Sequence, residues 1–341
     1  MYKYLLASAL AFAAACAQAA VGLGEVPGLK GDGPVTVFYP ASGTDKAVQR
    51  GPFTLQASPG GEPVRGNGRM VVISHGSGGN AWVHSDLARV LVEAGFVVAL
   101  PQHRGDNASD PSRPGPESWK LRPAEVSRAI DALAQDTRFA PLLSFDKVGM
   151  YGMSAGGHTA LSLAGGRWSP AELRRHCEAH IADDFASCVG LTTRLNGNFL
   201  DIIKQQVALG VIRQRLDDEA WYTHTDPRIR AVVAGVPFAA DFDFASLVQP
   251  AVALGLVTAR RDKWLVPRFH SDRVVAACKT CELIDDLPFA GHGALLSPPP
   301  PASVLGDIAA ELLADPVGFD RRVIPPVNRR ISNFFRRHLL P

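Results

Sequence analysis

The residues Gly152-Met153-Ser154-Ala155-Gly156 set a single hydroxyl between two glycines. Val148, Met150 and Tyr151 ahead of them suit a buried strand. Thr159, Ala160, Leu161, Leu163 and Ala164 behind them suit a packed helix. A chain that passes from strand to helix in so few residues must turn sharply, and its apex residue is held in a strained conformation. Small residues two positions to either side let the two elements approach, a part Gly152 and Gly156 can play. The serine then projects clear of both, as in a nucleophile elbow. The next N–H, from Ala155, opens the helix, where free N–H groups and the dipole favour a developing negative oxygen. The chemistry these residues could do is attack on a carbonyl carbon, with the oxyanion held by backbone N–H groups.

A serine hydroxyl is a poor nucleophile until a base takes its proton and an acid orients that base. On a strand–elbow–helix scaffold the partners are expected in the order serine, acid, histidine, each in a loop after a strand. Downstream histidines are His158, His176, His180, His224, His270, His292 and His338. His158 falls on the packed face of the elbow helix, which suits a core role. His292 stands between Gly291 and Gly293 after the last strand-like run, so it is the expected base. The expected acid is Asp262, in the loop after the run "AVALGLVTA"; Asp241 and Asp243 compete from one strand earlier. Asp262 could instead pair with Arg260 or Arg261. The glycine-rich loop His75-Gly76-Ser77-Gly78-Gly79 offers the second oxyanion donor, the Ser77 N–H, beside that of Ala155. His75 is expected to hold this loop by hydrogen bonds, and His103 to line the mouth of the site. The loop carries neither of the phosphate-cradling glycine patterns.

These groups need a frame. The run Met70–Ser74 and the runs at 96–100, 229–236 and 251–258 are continuously apolar, as parallel strands covered on both faces must be. A run at 35–39 reads as an early strand, 53–55 as a short one, and 283–287 as the last. Helical spacing appears at 87–94, 123–133 and 323–340. Strands alternating with helices predict an α/β fold around a mostly parallel sheet. Residues 167–228 break the alternation with helix-like stretches at 170–176 and 199–215. They are too long for one connection and read as a helical cap inserted over the strand ends.

With 341 residues, 46% hydrophobic and 20% charged, the composition is ordinary for a globular domain, and a formal charge of +2 carries no nucleic-acid footprint. Residues 1–19 read as a secretory leader: Lys3, an apolar core over 5–15, and the cleavage pattern Ala17-Gln18-Ala19. That core is too short to span a bilayer, so no stable membrane insertion is expected after cleavage. Cys16 suggests a lipoprotein, but the alanines before it do not fit one. Of five cysteines, Cys16 lies in the leader and four remain. In an exported chain they are expected as disulfides, Cys177 with Cys188 and Cys278 with Cys281. Cys278 and Cys281 also have redox-motif spacing. No metal and no cofactor is expected.

Taken in order, "HGSGG", "GMSAGGHTAL", "TARRDKWLVP" and "AGHGALL" resemble a bacterial group of α/β-hydrolases described as predicted dienelactone hydrolases, which is similar to platelet-activating-factor acetylhydrolases. The resemblance covers the chain from about Gly33 onward. It implies an α/β-hydrolase fold: a mostly parallel central sheet flanked by helices. True dienelactone hydrolases use a cysteine nucleophile, whereas position 154 is serine. The resulting expectation is a periplasmic or secreted serine esterase acting on a small-molecule or lipid-like ester. Other readings are a peptidase or amidase on the same fold, a silent binding protein on this scaffold, and a thiol-redox protein using Cys278 and Cys281.

Overall fold

The computed structural model of the chain describes residues 20–341, so the leader expectation and Cys16 lie outside the described residues. Its strands are β1 (Ala20–Val26), β2 (Val35–Ala41), β3 (Lys46–Arg50), β4 (Phe53–Pro59), β5 (Met70–Ser74), β6 (Val97–Pro101), β7 (Val148–Met153), β8 (Arg167–Trp168), β9 (Ile229–Gly235), β10 (Phe242–Asp243), β11 (Ala253–Ala259) and β12 (Glu282–Leu287). Ten of them form one sheet in the order β12-β11-β9-β7-β5-β6-β2-β1-β4-β3, and β8 pairs with β10. From β6 through β12 every pairing in the large sheet is parallel. Antiparallel pairing begins where β2 meets β6, and beyond it only β1 and β4 pair in parallel.

The apolar runs are buried on both faces because alternate side chains enter different cores. Met70 and Val72 of β5 pack into one cluster, Val71 and Ile73 into the other. The first cluster takes in Val126, Ala129 and Ile130 of α3 (Arg122–Gln135), Ala160 and Leu161 of α4 (Ala155–Leu163), and Val274 of α8 (Ser271–Ala277). The second takes in Leu87, Ala88 and Leu91 of α1 (Ser85–Glu93) and Val327, Ile331, Phe334 and Phe335 of α10 (Ile324–Leu339). Two short helices, α2 (Pro116–Trp119) and α9 (Asp307–Leu313), sit in loops. The 167–228 segment contributes α5 (Pro170–His180), α6 (Phe185–Val189) and α7 (Leu200–Arg215). Both disulfides are formed, Cys177–Cys188 within that segment and Cys278–Cys281 just after α8.

The N-terminal strands depart furthest from the sequence reading. β1 carries Gly22 and Gly24, which do not look like strand residues, yet the Tyr39 ring lies 2.2 Å from where a Gly22 Cβ would sit. β3 has one buried side chain, Val48, so its pattern carries almost no signal.

From β5 the chain moves to β6 on one side and then crosses back to β7 on the other. Loops leaving the carboxyl ends of β5 and β7 therefore diverge, and the crevice between them is where such sheets bind ligands. Those loops carry His75–Gly79 and Ser154.

Candidate active site

Ser154 has φ 61° and ψ −118°, a strained conformation for a residue with a side chain. Its neighbours make this possible. A Cβ on Gly152 would lie 1.8 Å from the Gly156 oxygen, and one on Gly156 would lie 1.9 Å from the Ser74 oxygen. Strand and helix thus close to a distance only glycine permits. The turn is pinned by Ser154 N–H donating to the Gly235 oxygen at 3.1 Å and Phe238 N–H donating to the Ser154 oxygen at 3.2 Å.

His292 Nε2 lies 2.9 Å from Ser154 Oγ, and His292 Nδ1 lies 2.7 Å from Asp262 Oδ2. With Nδ1 donating to the carboxylate, Nε2 is left with the lone pair that faces the serine. Asp262 is held from behind, because its Oδ1 accepts the N–H groups of Trp264 and Leu265, each at 2.8 Å. Trp264 stands over the imidazole with ring centroids 5.0 Å apart. The His292 loop is clasped by Arg321, which donates to the Leu296 oxygen at 2.9 Å and the Gly293 oxygen at 3.1 Å. All three side chains are buried, Ser154 retaining 8% exposure.

Beside the serine runs the glycine-rich loop. A Cβ on Gly76 would lie 3.3 Å from Ser154 Cβ, so this backbone lines the nucleophile. Asp106 Oδ1 accepts the Ser77 hydroxyl at 2.6 Å and the Gly78 N–H at 2.9 Å. Arg122, fully buried, donates to Asp106 Oδ2 at 2.8 Å and to the His75 oxygen at 2.6 Å. Ala155 N–H opens α4 and has no intrahelical partner. The arrangement can deprotonate a serine, drive it into a carbonyl and surround the resulting oxygen with backbone N–H groups.

A solved structure similar to the chain is that of a ferulic acid esterase from Streptomyces cinnamoneus, with a TM-score of 0.55 and 16% identity over 90% of this chain and 82% of that one. The fold is that of the α/β-hydrolases. At this identity the likeness speaks for the fold alone. No family model and no curated protein matches the chain.

Within this hydrolase fold the residues singled out from sequence separate clearly. Ser154, His292 and Asp262 come together; Ala155 follows the serine directly, and the loop reaches it through Gly76, the neighbour of Ser77. Asp241 and Asp243 do not join them. Asp241 Oδ2 lies 3.1 Å from His158 Nε2, in a pocket walled by Trp119, Trp168, Phe238 and Phe242. Asp243 pairs with Arg167 and caps Ala245. Arg260 is committed to Asp272 and Asp286, and Arg261 to the Val317 oxygen, which leaves Asp262 to the histidine. His75 holds the loop as expected, its Nδ1 2.7 Å from the Gly76 oxygen.

His103 corrects the reading. It lines no opening: it is fully buried, 2.7 Å from Ser74 Oγ and 2.6 Å from Glu125 Oε2. Burial drives its pKa well below the usual histidine value, with Arg122 adding to the effect. The supports Asp106, Arg122 and Glu125 carry no motif, and only their contacts mark them out.

One cluster has ligand-like residues. His176, Asp184 and His270 bring ligating atoms within 4.8 Å of one another. However, Ala239 N–H donates to His270 Nδ1 at 3.0 Å, so the neutral ring carries its proton on Nε2 and gives it to Asp184. That nitrogen has no lone pair for a cation, and the chemistry of the cluster is hydrogen bonding.

Proposed function

We propose that the protein is a serine hydrolase of carboxylic esters, with Ser154 as nucleophile, His292 as base and then acid, and Asp262 as the group that orients the imidazole. The observation that carries this is the unbroken line Asp262–His292–Ser154 at 2.7 and 2.9 Å on a strained elbow. Ser154 Oγ attacks the ester carbonyl while His292 Nε2 takes its proton. The tetrahedral oxygen is received by the N–H groups of Ala155 and Ser77. Collapse expels the alcohol, which leaves with the proton from His292. Water, deprotonated by the same nitrogen, then cleaves the acyl-enzyme. Residues 167–228 act as the cap that shapes the acyl or alcohol pocket. Export is part of this reading: residues 1–19 serve as a leader, the two disulfides suit an oxidising compartment, and among the described residues no helix is long and apolar enough to cross a membrane.

The test is labelling of the purified protein with a fluorophosphonate, together with hydrolysis of p-nitrophenyl esters from acetyl to palmitoyl and of aryl esters such as the neighbour's name suggests. Labelling at Ser154 and turnover abolished in a folded Ser154→Ala variant are expected. Turnover that survives Ser154→Ala would overturn the reading. A folded protein that neither labels nor turns over any ester would mark a silent scaffold.

A further inference from the structure

The loop that carries Asp262 is bound to the 167–228 segment through one carboxylate. Asp184, between α5 and α6, is 1% exposed. Its Oδ2 accepts from Ser187 Oγ at 2.6 Å, His176 Nε2 at 2.8 Å and His270 Nε2 at 3.0 Å. Its Oδ1 accepts the Val266 N–H at 3.4 Å. Burial pushes its pKa up, but the hydrogen bonds from His176 and His270 outweigh that and hold the carboxyl well below the usual range. A charge this deep persists only because every donor is in place.

What those donors belong to gives the arrangement its meaning. Val266 follows directly on Trp264 and Leu265, the two residues whose N–H groups grip Asp262. His270 ends that same loop, and its other nitrogen takes the N–H of Ala239, next to Phe238, which bonds the Ser154 oxygen. A closed circuit therefore runs from the nucleophile through 238–239, His270, Asp184 and Val266 to Asp262, His292 and back to Ser154. His176 and Ser187 are the immediate neighbours of Cys177 and Cys188, so the disulfide holds two of the donors in one frame.

We propose that Asp184 is a positioning residue for the triad acid, tying the 262–270 loop to α5 and α6 and so setting the Asp262 carboxylate against His292. This rests on the esterase reading. It predicts that Asp184 acts through Asp262 and not by general stabilisation.

The experiment is a double-mutant cycle on ester turnover and fluorophosphonate labelling, run on the full chain with Asp184→Asn, Asp262→Asn and both together. The parent is measured first; a parent that neither labels nor turns over fails the esterase reading itself, before Asp184 enters. Given an active parent, Asp184→Asn should lower kcat by about tenfold or more with KM within about twofold, and should cost less than about twofold more in the Asp262→Asn background. The acid limb of its kcat–pH profile should move to lower pH, because a displaced Asp262 stabilises the imidazolium less. Equal losses in both backgrounds, or unchanged kcat in Asp184→Asn, would overturn the proposal. If circular dichroism shows Asp184→Asn unfolded, His176→Gln, which alters one donor to Asp184 and leaves the His270–Ala239 bond in place, enters the same cycle under the same criterion.

Discussion

At the scale of single residues, Asp262 and Asp241 show how position along the chain differs from position in space. Both follow strands of the sheet and both meet a histidine, but Asp262 reaches His292 and Asp241 reaches His158. In the proposed mechanism Asp262→Asn should present the wrong tautomer of His292 to the serine and cut kcat by about 10²- to 10⁴-fold. Asp241→Asn keeps an oxygen for His158, so it should change kcat by less than about tenfold and cost about 1–3 kcal/mol of stability instead. Steady-state kinetics and urea unfolding of the two variants check the contrast. The reverse ranking would move the acid to Asp241.

At the scale of elements, the elbow and the glycine-rich loop are held by contacts between segments distant in sequence. Gly152 and Gly156 let β7 and α4 meet, and Ser74 and His75 pack against that junction. Gly152→Ala would drive a methyl into the Gly156 carbonyl, so it should abolish fluorophosphonate labelling and lower the yield of folded protein. The loop 75–79 depends on α3, through Arg122, and on the loop after β6, through Asp106. Asp106→Ala would leave a buried guanidinium without its carboxylate, a loss of about 3–5 kcal/mol. It would also free Ser77 and Gly78. Lowered stability in urea and a fall in kcat beyond that of a surface Asp→Ala control are both expected.

At the scale of the whole molecule, the buried histidines include His75, His84 and His103. Burial lowers the pKa of each, His84 to about 4. Among the described residues neither ring nitrogen of His84 has a hydrogen-bond partner. In the unfolded chain these groups bind a proton near pH 6.5, while in the folded chain they stay neutral. The unfolded state therefore gains protons first as pH falls. Stability is complete above about pH 6.5 and falls by about 1.4 kcal/mol per pH unit for each such histidine below it. For His84 the loss runs from about pH 6.5 down to its folded value of about 4. Denaturation midpoints measured from pH 7.5 to 4.5 should decline, and His84→Phe should flatten the decline by one proton's worth. A slope unaffected by His84→Phe would place the proton uptake elsewhere.

Features that are local and repetitive are legible along the chain. Continuous apolar runs announce parallel strands because both faces must be covered, and the Gly-x-Ser-x-Gly spacing announces the elbow because only glycine fits its flanks. Spacing also pointed to the disulfide pairs, since short loops favour the nearest partners, and the glycines around position 292 pointed to His292. Features that depend on long-range approach become visible once the chain is folded. Asp262 reaches His292 while Asp241 meets His158, and Arg260 and Arg261 are occupied elsewhere. Asp106, Arg122 and Glu125 support the site through contacts that have no periodic pattern. β1 and β3 form because Tyr39 and β4 receive them, not because their own residues favour strands. Asp184, between two short helices, resembles any surface aspartate until the fold encloses it with two imidazoles, a hydroxyl and a backbone N–H, whose pairing outweighs the cost of burying its charge.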